Sequence, residues 1–388
     1  MQFTDFSKLD LSRLPTPCFV VDEVAVERNL RILREVADAS GAKVLAALKA
    51  FSMWHLAPLV SRYLDGSCAS GLHEARLGSD YYGGEVHVFS AAYNEASLRE
   101  ILLLADHVVF NSCSQWQRFQ PLVRAAKSHR PQLKFGLRIN PEHSEGAVPI
   151  YDPCAPGSRL GIPLSQLDES VLEGISGLHF HTLCEQDFPP LQRTLDAVEE
   201  KFGHLLAGME WINFGGGHHI TRPGYQLAEL VARIREFSSK YAVQVYLEPG
   251  EAVAIGSGVL VAEVLDLTWN GLHQAILDTS ATCHMPDTLE MPYRPDIIGA
   301  GMAGELAHTY RLGGLTCLAG DVIGDYSFAE PLQIGQRLVF GDMAHYTMVK
   351  TSTFNGTQLP AIAVWNSISD ELTLVREFGY ADFRDRLS

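Results

Sequence analysis

One stretch decides the fold: VLAALKAF at residues 44–51, an apolar run of strand length with a single charged residue near its end. A run this apolar is typical of a parallel strand covered on both faces. Lys49 would then lie at the carboxyl end of that strand, where parallel α/β folds place their chemistry. A partly buried lysine amine can attack a carbonyl group and form an imine. The alternative is a lysine that extends its ammonium group to solvent.

Short apolar segments recur after this run and alternate with helical patterns. We predict strands at 44–48, 64–69, 86–89, 107–111, 133–139, 177–181, 211–214 and 243–247. Helical periodicity is present in 191–205 and 227–237, and an earlier helix at 23–40 can be capped by Asp22. Eight strands that alternate with helices favour a (β/α)8 TIM barrel. An open doubly wound sheet remains the alternative, because periodicity does not establish closure.

The pattern changes after about residue 256 to the alternation and turns of β-structure. We predict strands at 258–269, 272–278, 307–312, 336–340, 344–349, 361–366 and 372–377. The sequence therefore predicts an α/β barrel domain at 22–256 and an all-β domain, a β-sandwich or β-barrel, at 257–388. Residues 1–21, with a short strand at 16–21, are expected to join the β domain.

The composition excludes several classes of protein. The chain has 388 residues, 30 Lys and Arg against 46 Asp and Glu, and a net charge of −16. This acidity disfavours nucleic acid and anionic membranes as partners and is compatible with a cationic small molecule. No apolar segment approaches the roughly 20 residues of a membrane helix, and the amino terminus lacks a signal-peptide pattern. Seven cysteines without a C-x-x-C pair indicate free thiols, so we expect a cytoplasmic protein.

Distinctive residues fall at the carboxyl ends of five of the predicted barrel strands, and in a closed barrel they would surround one mouth. They are Lys49, Arg138, His181, Gly215-Gly216-Gly217 and Glu248. Each residue has an ordinary structural explanation, but the occurrence of all of them at strand ends is less easily explained in that way. Glycine amides can bind an anion, and the loops after strands seven and eight are the usual phosphate site of a barrel. With a lysine for the imine and a carboxylate for a ring nitrogen, the set suits pyridoxal 5′-phosphate (PLP).

The motifs that hold these residues resemble a known family. They are ALKAFSMW (47–54), DGSCASGLHEARLG (65–78), LHFHTLCEQ (178–186), NFGGGHHIT (213–221), LEPGEAV (247–253) and LTCLAGDVIGDY (315–326). Together they are similar to the fold-type III PLP-dependent decarboxylases, which include ornithine and diaminopimelate decarboxylases and share the alanine racemase-like fold. Within that family the chain most resembles the carboxynorspermidine (carboxyspermidine) decarboxylases, and the resemblance covers nearly the whole chain.

The resemblance implies a function in polyamine biosynthesis: PLP-dependent decarboxylation of carboxynorspermidine or carboxyspermidine to norspermidine or spermidine by a homodimer with shared active sites. It also implies residue roles. Lys49 would carry the cofactor, His181 would stack on its ring, and Glu248 would pair with its ring nitrogen. The remaining cofactor and catalytic positions implied are Arg138 near the ring hydroxyl, Gly215, Gly216, Gly217, Gly250 and Tyr346 at the phosphate, and Cys317, delivered by the other subunit.

Asp321 is implied as a ligand of a substrate amine, with Glu251 and Asp287 as further candidates. The chain departs from the ornithine and diaminopimelate decarboxylases at Leu318, where they carry an acidic residue, at Glu251, where they carry arginine, and at Ser67, where an aspartate is expected.

Three alternatives remain: decarboxylation of another basic amino acid (diaminopimelate, ornithine or arginine), a fold-related amino-acid racemase, and a non-catalytic PLP carrier. His179-x-His181 and His218-His219 lack a recognisable ligand spacing, so we predict no metal site.

Overall fold

The computed structural model describes residues 4–388, which form two compact units: Glu27–Val253, and the chain up to Val26 together with Ala254–Ser388. In chain order the strands are β1 Cys18–Asp22, β2 Lys43–Ala47, β3 Gly66–Ala69, β4 Glu85–Phe89, β5 His107–Phe110, β6 Lys134–Asn140, β7 Ile162–Pro163, β8 Gly177–His179, β9 Trp211–Asn213, β10 Gln244–Leu247, β11 Gly258–Trp269, β12 His273–Leu277, β13 Gly301–Met302, β14 His308–Gly313, β15 Val322–Phe328, β16 Arg337–Gly341, β17 Ala361–Trp365 and β18 Leu372–Arg376.

The helices connect the parallel strands of the first unit and are short in the second. They are α1 Glu23–Ser40, α2 Ala57–Val60, α3 Leu72–Leu77, α4 Glu95–Leu104, α5 Cys113–His129, α6 Phe188–Leu206, α7 Leu227–Tyr241, α8 Glu251–Ala254, α9 Ala281–His284, α10 Asp287–Glu290 and α11 Tyr380–Arg384. The predicted cap of α1 is present, because the amide of Val24 donates to Oδ1 of Asp22 at 3.1 Å. Within residues 4–388 no helix has the length and apolar character needed to cross a membrane.

Eight parallel strands of the first unit close into a barrel. Their order is β5-β4-β3-β2-β10-β9-β8-β6, and β5 also pairs with β6, which completes the ring. The two-residue strand β7 pairs with β6 outside this ring. The prediction of a (β/α)8 barrel is confirmed, and the open sheet is wrong, because no strand of the ring is left with an unpaired edge.

The barrel is closed over an apolar interior. Residues 44–48 of the deciding stretch are all buried, with at most 2% of each residue exposed. Leu45, Val109, Trp211 and Tyr246, from four different strands, pack together inside the ring. Burial of these large side chains is the main stabilising contribution available to such a barrel.

The second unit contains a mixed sheet that includes the amino-terminal strand, as predicted. The order is β13-β15-β14-β12-β11-β1-β17-β18, with β16 also paired to β11. Strand β1 lies antiparallel to β11 and parallel to β17. Cys18 and Val20 of β1 pack with Val259, Val261 and Trp365 in the core of this unit. Residues 1–3, which we predicted to belong here, lie outside the described residues.

The β prediction omitted the two-residue strand β13 and is wrong at two longer segments. The predicted strand at 344–349 is absent: Thr347–Lys350 is a turn of 3-10 helix, preceded by Tyr346 with a φ of +47° that a strand does not allow. Strand β15 at Val322–Phe328 was not predicted, because its Gly324 and Asp325 resemble a turn. Pairing with β14 and β13 nevertheless holds this segment extended.

Candidate active site

Lys49 lies in a turn two residues beyond the end of β2. Its Nζ atom is 3.4 Å from Nε2 of His181, which follows β8 by two residues. Burial is the main cause that holds the pKa of His181 well below its usual value, and the charges of Lys49 and Arg138 add to it. This imidazole is therefore neutral. Lys49 itself is exposed, so the chain does not show the partial burial that the sequence predicted.

Backbone contacts orient the ring of His181. Its Nδ1 atom is 3.1 Å from the carbonyl oxygen of Gly216 and 3.2 Å from the Gly216 nitrogen, so either tautomer finds a partner there. A guanidinium NH2 group of Arg138 donates to the carbonyl oxygen of His181 at 3.0 Å. The same guanidinium lies over the ring of Phe89, 4.5 Å from its centroid. Both the ring and the backbone of His181 are therefore fixed.

Glu248 directly follows β10 and is hydrogen-bonded on both carboxylate oxygens. Asn213 donates from Nδ2 to Oε1 at 2.7 Å, and Nε2 of His179 lies 3.2 Å from Oε2. Burial alone would raise the pKa of Glu248, but its contact with His179 and the hydrogen bond from Asn213 lower it to about 2. This buried carboxylate is therefore an anion at neutral pH.

The glycine loop after β9 packs against two other backbones. A Cβ atom on Gly217, whose φ is +83°, would overlap the carbonyl oxygen of Leu183, and one on Gly216 would overlap that of Glu248. Only glycine permits this approach. Among residues 4–388 the amides of Gly217 and Gly250 have no hydrogen-bond partner, although Gly250 is buried. Unpaired amides after β9 and β10 are suited to bind an anion.

Glu251 begins α8, immediately after this second loop. Its Oε2 atom is 2.7 Å from Nε2 of His219, and 13% of its side chain is exposed. Burial, together with the charges of Glu185 and Glu251, raises the pKa of Cys184 to about 12, and the charge of Lys49 opposes this increase. The charges of Glu251 and Lys49 thus act on the same thiol at the mouth of the barrel.

The second unit holds the other predicted site residues. Cys317 is exposed, and its amide donates to Oδ1 of Asn355 at 2.9 Å. Asp321 is only 5% exposed, and its carboxylate accepts hydrogen bonds from Ser280, Thr282 and Thr316. These bonds connect Asp321 to the start of α9 and to the residue just before Cys317.

Two further predicted residues of this unit are Asp287 and Tyr346. Asp287 forms an ion pair with Lys350, which also lies 3.2 Å from Glu290. Tyr346 precedes the 3-10 turn described above.

Sequence reasoning missed His179, Asn213, His219 and Cys68. His179 and His181 are two residues apart around a strand end, so their side chains face the same side, and this spacing could have suggested a shared site. We considered the pair only as metal ligands. Burial raises the pKa of Cys68 well above its usual value, and the charge of Glu248 adds to this effect, so Cys68 is a protonated thiol next to that carboxylate.

A second polar cluster lies at the opposite end of the barrel strands. The ligand atoms of Glu85, His87 and His107 are within 4.8 Å of one another. However, the two imidazoles are stacked with centroids 3.9 Å apart and an interplanar angle of 19°, and Glu85 pairs with Lys43. Nearly parallel rings cannot direct their in-plane lone pairs at one ion. We therefore assign no metal to this cluster.

The arrangement fits a phosphorylated aromatic aldehyde. Lys49 offers an accessible amine, Glu248 an anion for a protonated ring nitrogen, and Gly217 and Gly250 offer unpaired amides for a phosphate. A barrel with these groups at the carboxyl ends of its strands defines the class of PLP-dependent barrel enzymes.

Comparison with known proteins identifies the family. The family described as "Pyridoxal-dependent decarboxylase, C-terminal sheet domain" matches residues 18–344. The carboxyaminopropylagmatine decarboxylase of Synechocystis sp. is 44% identical over 380 residues, which cover 97% of this chain and 96% of that protein. The carboxynorspermidine/carboxyspermidine decarboxylase of Campylobacter jejuni is 43% identical over 382 residues, which cover 96% and 98%.

A crystal structure agrees with these sequence matches. The carboxynorspermidine decarboxylase from Campylobacter jejuni complexed with norspermidine superimposes with a TM-score of 0.87 at 42% identity, covering 96% of this chain and 100% of that one. The chain belongs to the pyridoxal-dependent decarboxylase family. It is a PLP-dependent carboxy-lyase, and the racemase and non-catalytic carrier alternatives are set aside.

Proposed function

We propose that this chain decarboxylates carboxynorspermidine or carboxyspermidine, releasing norspermidine or spermidine in polyamine biosynthesis. The main support is the full-length similarity to the Campylobacter jejuni carboxynorspermidine/carboxyspermidine decarboxylase, at 43% identity. The Synechocystis relative, named for carboxyaminopropylagmatine, supports a second candidate substrate. Both names describe a carboxylated polyamine or polyamine-like cation, which agrees with the chain's net charge of −16.

The geometry of the barrel mouth supports the cofactor contacts proposed for its own residues, and the family resemblance supports Tyr346 of the second unit. Lys49 would bind the aldehyde, His181 would face the ring, and Glu248 would accept a hydrogen bond from the protonated ring nitrogen. The loop 215–217, Gly250 and Tyr346 would hold the phosphate, and Arg138 would lie on the hydroxyl side. When bound, PLP supplies an electron-accepting ring that stabilises the carbanion left by loss of CO2.

The chain's own residues orient the ring and move protons. His181 is neutral and fixed by Gly216, so it presents an uncharged face that does not repel a protonated ring. With its amine free, Lys49 would lie beside His181 and could move a proton. We assign return of a proton to the substrate Cα to Cys317 of the partner subunit, or to Lys49.

Three carboxylates are proposed to recognise the distal amines of the substrate. An ammonium group that loses water needs an acceptor, since an unpaired buried charge is strongly unfavourable. Glu251 is favoured because it follows Glu248 in the same loop and its charge reaches the mouth. Asp287 already pairs with Lys350. Asp321 is surrounded by protein donors, which supports a role in shaping the Cys317 loop as well as the predicted substrate contact.

We further propose a cytoplasmic homodimer with shared active sites. The cytoplasmic location is supported by the seven cysteines, which are all free. The dimer is supported by the role proposed for Cys317, whose exposed thiol could reach the barrel mouth of a second subunit. Such a dimer would be isologous, with each subunit completing the site of the other.

A substrate panel scored by CO2 release tests the assignment. The panel contains carboxynorspermidine, carboxyspermidine, carboxyaminopropylagmatine, diaminopimelate, ornithine and arginine, each with saturating PLP. We expect the highest kcat/KM with one of the two carboxylated triamines. A higher value with carboxyaminopropylagmatine would select the second candidate, and a higher value with diaminopimelate, ornithine or arginine would refute the proposed substrate class while leaving the family assignment intact.

A further inference from the structure

Among the barrel carboxylates that are hydrogen-bonded to histidine, Glu85 and Glu248 differ in the charge of their other partners. Glu85 contacts both His87 and the ammonium group of Lys43, so a positive charge neutralises it. The donors to Glu248, by contrast, are the amide of Asn213 and the imidazole of His179. If both donors are uncharged, Glu248 keeps a full negative charge in a buried position.

The local structure keeps His179 neutral. The residue is 2% exposed and stacks on Phe89, with ring centroids 5.4 Å apart. Its Nδ1 atom is buried without a partner among residues 4–388. A protonated ring would place an unpaired N–H there, which is costly, and burial lowers the pKa of His179. The neutral ring with its hydrogen on Nε2 therefore donates to Glu248 and leaves only an acceptor unpaired.

The local structure also fixes the orientation of the Asn213 amide. Its Oδ1 atom accepts from the amide of Gly215 at 2.8 Å, so the other end of the group, Nδ2, must face Glu248. The amide of Glu248 in turn donates to the carbonyl oxygen of Gly215 at 2.8 Å. Asn213 thus connects the carboxylate to the glycine loop.

We propose that His179 and Asn213 are positioning residues that hold Glu248 as an oriented anion for the ring nitrogen, and that Asn213 also couples this carboxylate to the phosphate-binding glycine loop. The inference rests on the proposed placement of Glu248 at the ring nitrogen. The charged and titratable groups that act on Glu248 or are acted on by it are His179, His87, Cys68 and Arg138.

The test measures the dissociation constant of PLP by titrating apoenzyme at about pH 8.5 and about pH 5.5, with each variant compared to the parent at the same pH. His179→Phe removes the donor and keeps an aromatic ring against Phe89. Without the donor, the pKa of Glu248 rises, so the carboxylate becomes protonated as the pH falls and can no longer accept from the ring. We expect the dissociation constant of PLP to change little at the higher pH and to rise roughly 10- to 150-fold at the lower pH. A rise of this size corresponds to the loss of one charge-assisted hydrogen bond.

Two substitutions of Asn213 separate its two contacts. Asn213→Asp keeps the acceptor for Gly215 but replaces the donor to Glu248 with a second carboxyl group. Repulsion between the two carboxylates favours protonation of the pair, so this variant should also weaken PLP binding at the lower pH. Asn213→Ala removes both contacts and should also weaken PLP binding at the higher pH, because the glycine loop loses its hydrogen bond to Oδ1 of Asn213. His179→Gln, which retains an N–H donor, should recover part of the lost affinity and serves if His179→Phe does not fold.

His107→Phe is the matched control, since His107 is equally buried but lies at the other end of the barrel strands. Glu248→Gln tests the placement of Glu248 at the ring nitrogen separately from the positioning role of His179 and Asn213. If it weakens PLP while His179→Phe and Asn213→Asp follow the parent at both pH values, the positioning role is wrong. If Glu248→Gln itself binds PLP as tightly as the parent at both pH values, the placement of Glu248 at the ring nitrogen is wrong.

Discussion

The Nζ atom of Lys49 lies 3.4 Å from the Nε2 atom of His181, although 132 residues separate them in the chain. This contact joins the residue that we assign to the cofactor aldehyde with the residue that we assign to the ring face. The backbone of Gly216 contacts the ring of His181, and Arg138 donates to its carbonyl oxygen. His181 is therefore held in place beside Lys49.

The first prediction concerns Lys49. Borohydride reduction of the holoenzyme should attach the cofactor covalently to the peptide that contains Lys49, and Lys49→Ala should lose the visible absorbance of bound PLP. Lys43→Arg is the matched control, because Lys43 pairs with Glu85 at the other end of the barrel and should leave the absorbance unchanged. Attachment to a peptide that contains Lys43 or Lys350 would contradict the assignment.

The second prediction concerns Cys317 and the proposed dimer. Lys49→Ala and Cys317→Ala subunits should each be inactive as pure dimers. After equal mixing and free exchange, half of the dimers are mixed and each has one intact site, so roughly a quarter of the parent activity should return. Mass spectrometry of isotope-labelled subunits verifies the exchange. No recovery after verified exchange would mean that both groups serve the same subunit's site.

The third prediction concerns Glu251. Glu251→Gln removes the negative charge proposed to bind a distal ammonium group. Loss of one charge-assisted hydrogen bond, about 1.5–3 kcal/mol, should lower kcat/KM for the carboxylated triamine by roughly 10- to 150-fold without loss of visible absorbance. Glu169→Gln is the matched control, since Glu169 also contacts a histidine, His204 at 3.0 Å, but is exposed. Equal kinetics of the Glu251 variant and the parent would remove Glu251 from the substrate site.

The fourth prediction concerns Asp321. Asp321→Ala leaves the donors of Ser280, Thr282 and Thr316 without an acceptor, and each unsatisfied buried group costs about 1–3 kcal/mol. We expect a lower Tm together with reduced turnover and unchanged PLP absorbance. Asp325→Ala, which breaks a half-exposed pair with Arg311, should change the Tm little. If Asp321→Ala lowers turnover at an unchanged Tm, Asp321 acts on the substrate directly and not through the loop.

The fifth prediction concerns pH and stability. Burial lowers the pKa of His107 to about 2, whereas an unfolded histidine titrates near pH ~6.5. Below that pH only the unfolded chain binds the proton, so His107 contributes a loss of stability as the pH falls, by about 1.4 kcal/mol per pH unit. His107→Phe should therefore flatten the pH dependence of the unfolding free energy, by about 2 kcal/mol between pH ~6.5 and pH ~5. Urea denaturation at both pH values measures this change, and His55→Phe, at an exposed histidine, is the matched control.

The sequence by itself determined the features that depend on local patterns. The apolar run at 44–51, the eight spaced strands and the apolar faces of α6 and α7 were sufficient to predict the barrel, because periodicity reports which side chains must be buried. The lysine, histidine, glycines and glutamate near strand ends were also recognisable, because the carboxyl ends of parallel strands meet at one mouth.

Only the tertiary structure decided which of these groups act on one another. Pairing of β5 with β6 closes the barrel, and pairing with β14 keeps β15 extended despite its turn-like composition. The contact of Asn213 with Glu248 and that of Glu251 with His219 join loops that follow different strands. The physical reason is that hydrogen bonds between distant residues depend on distance and direction, which a sequence pattern does not encode.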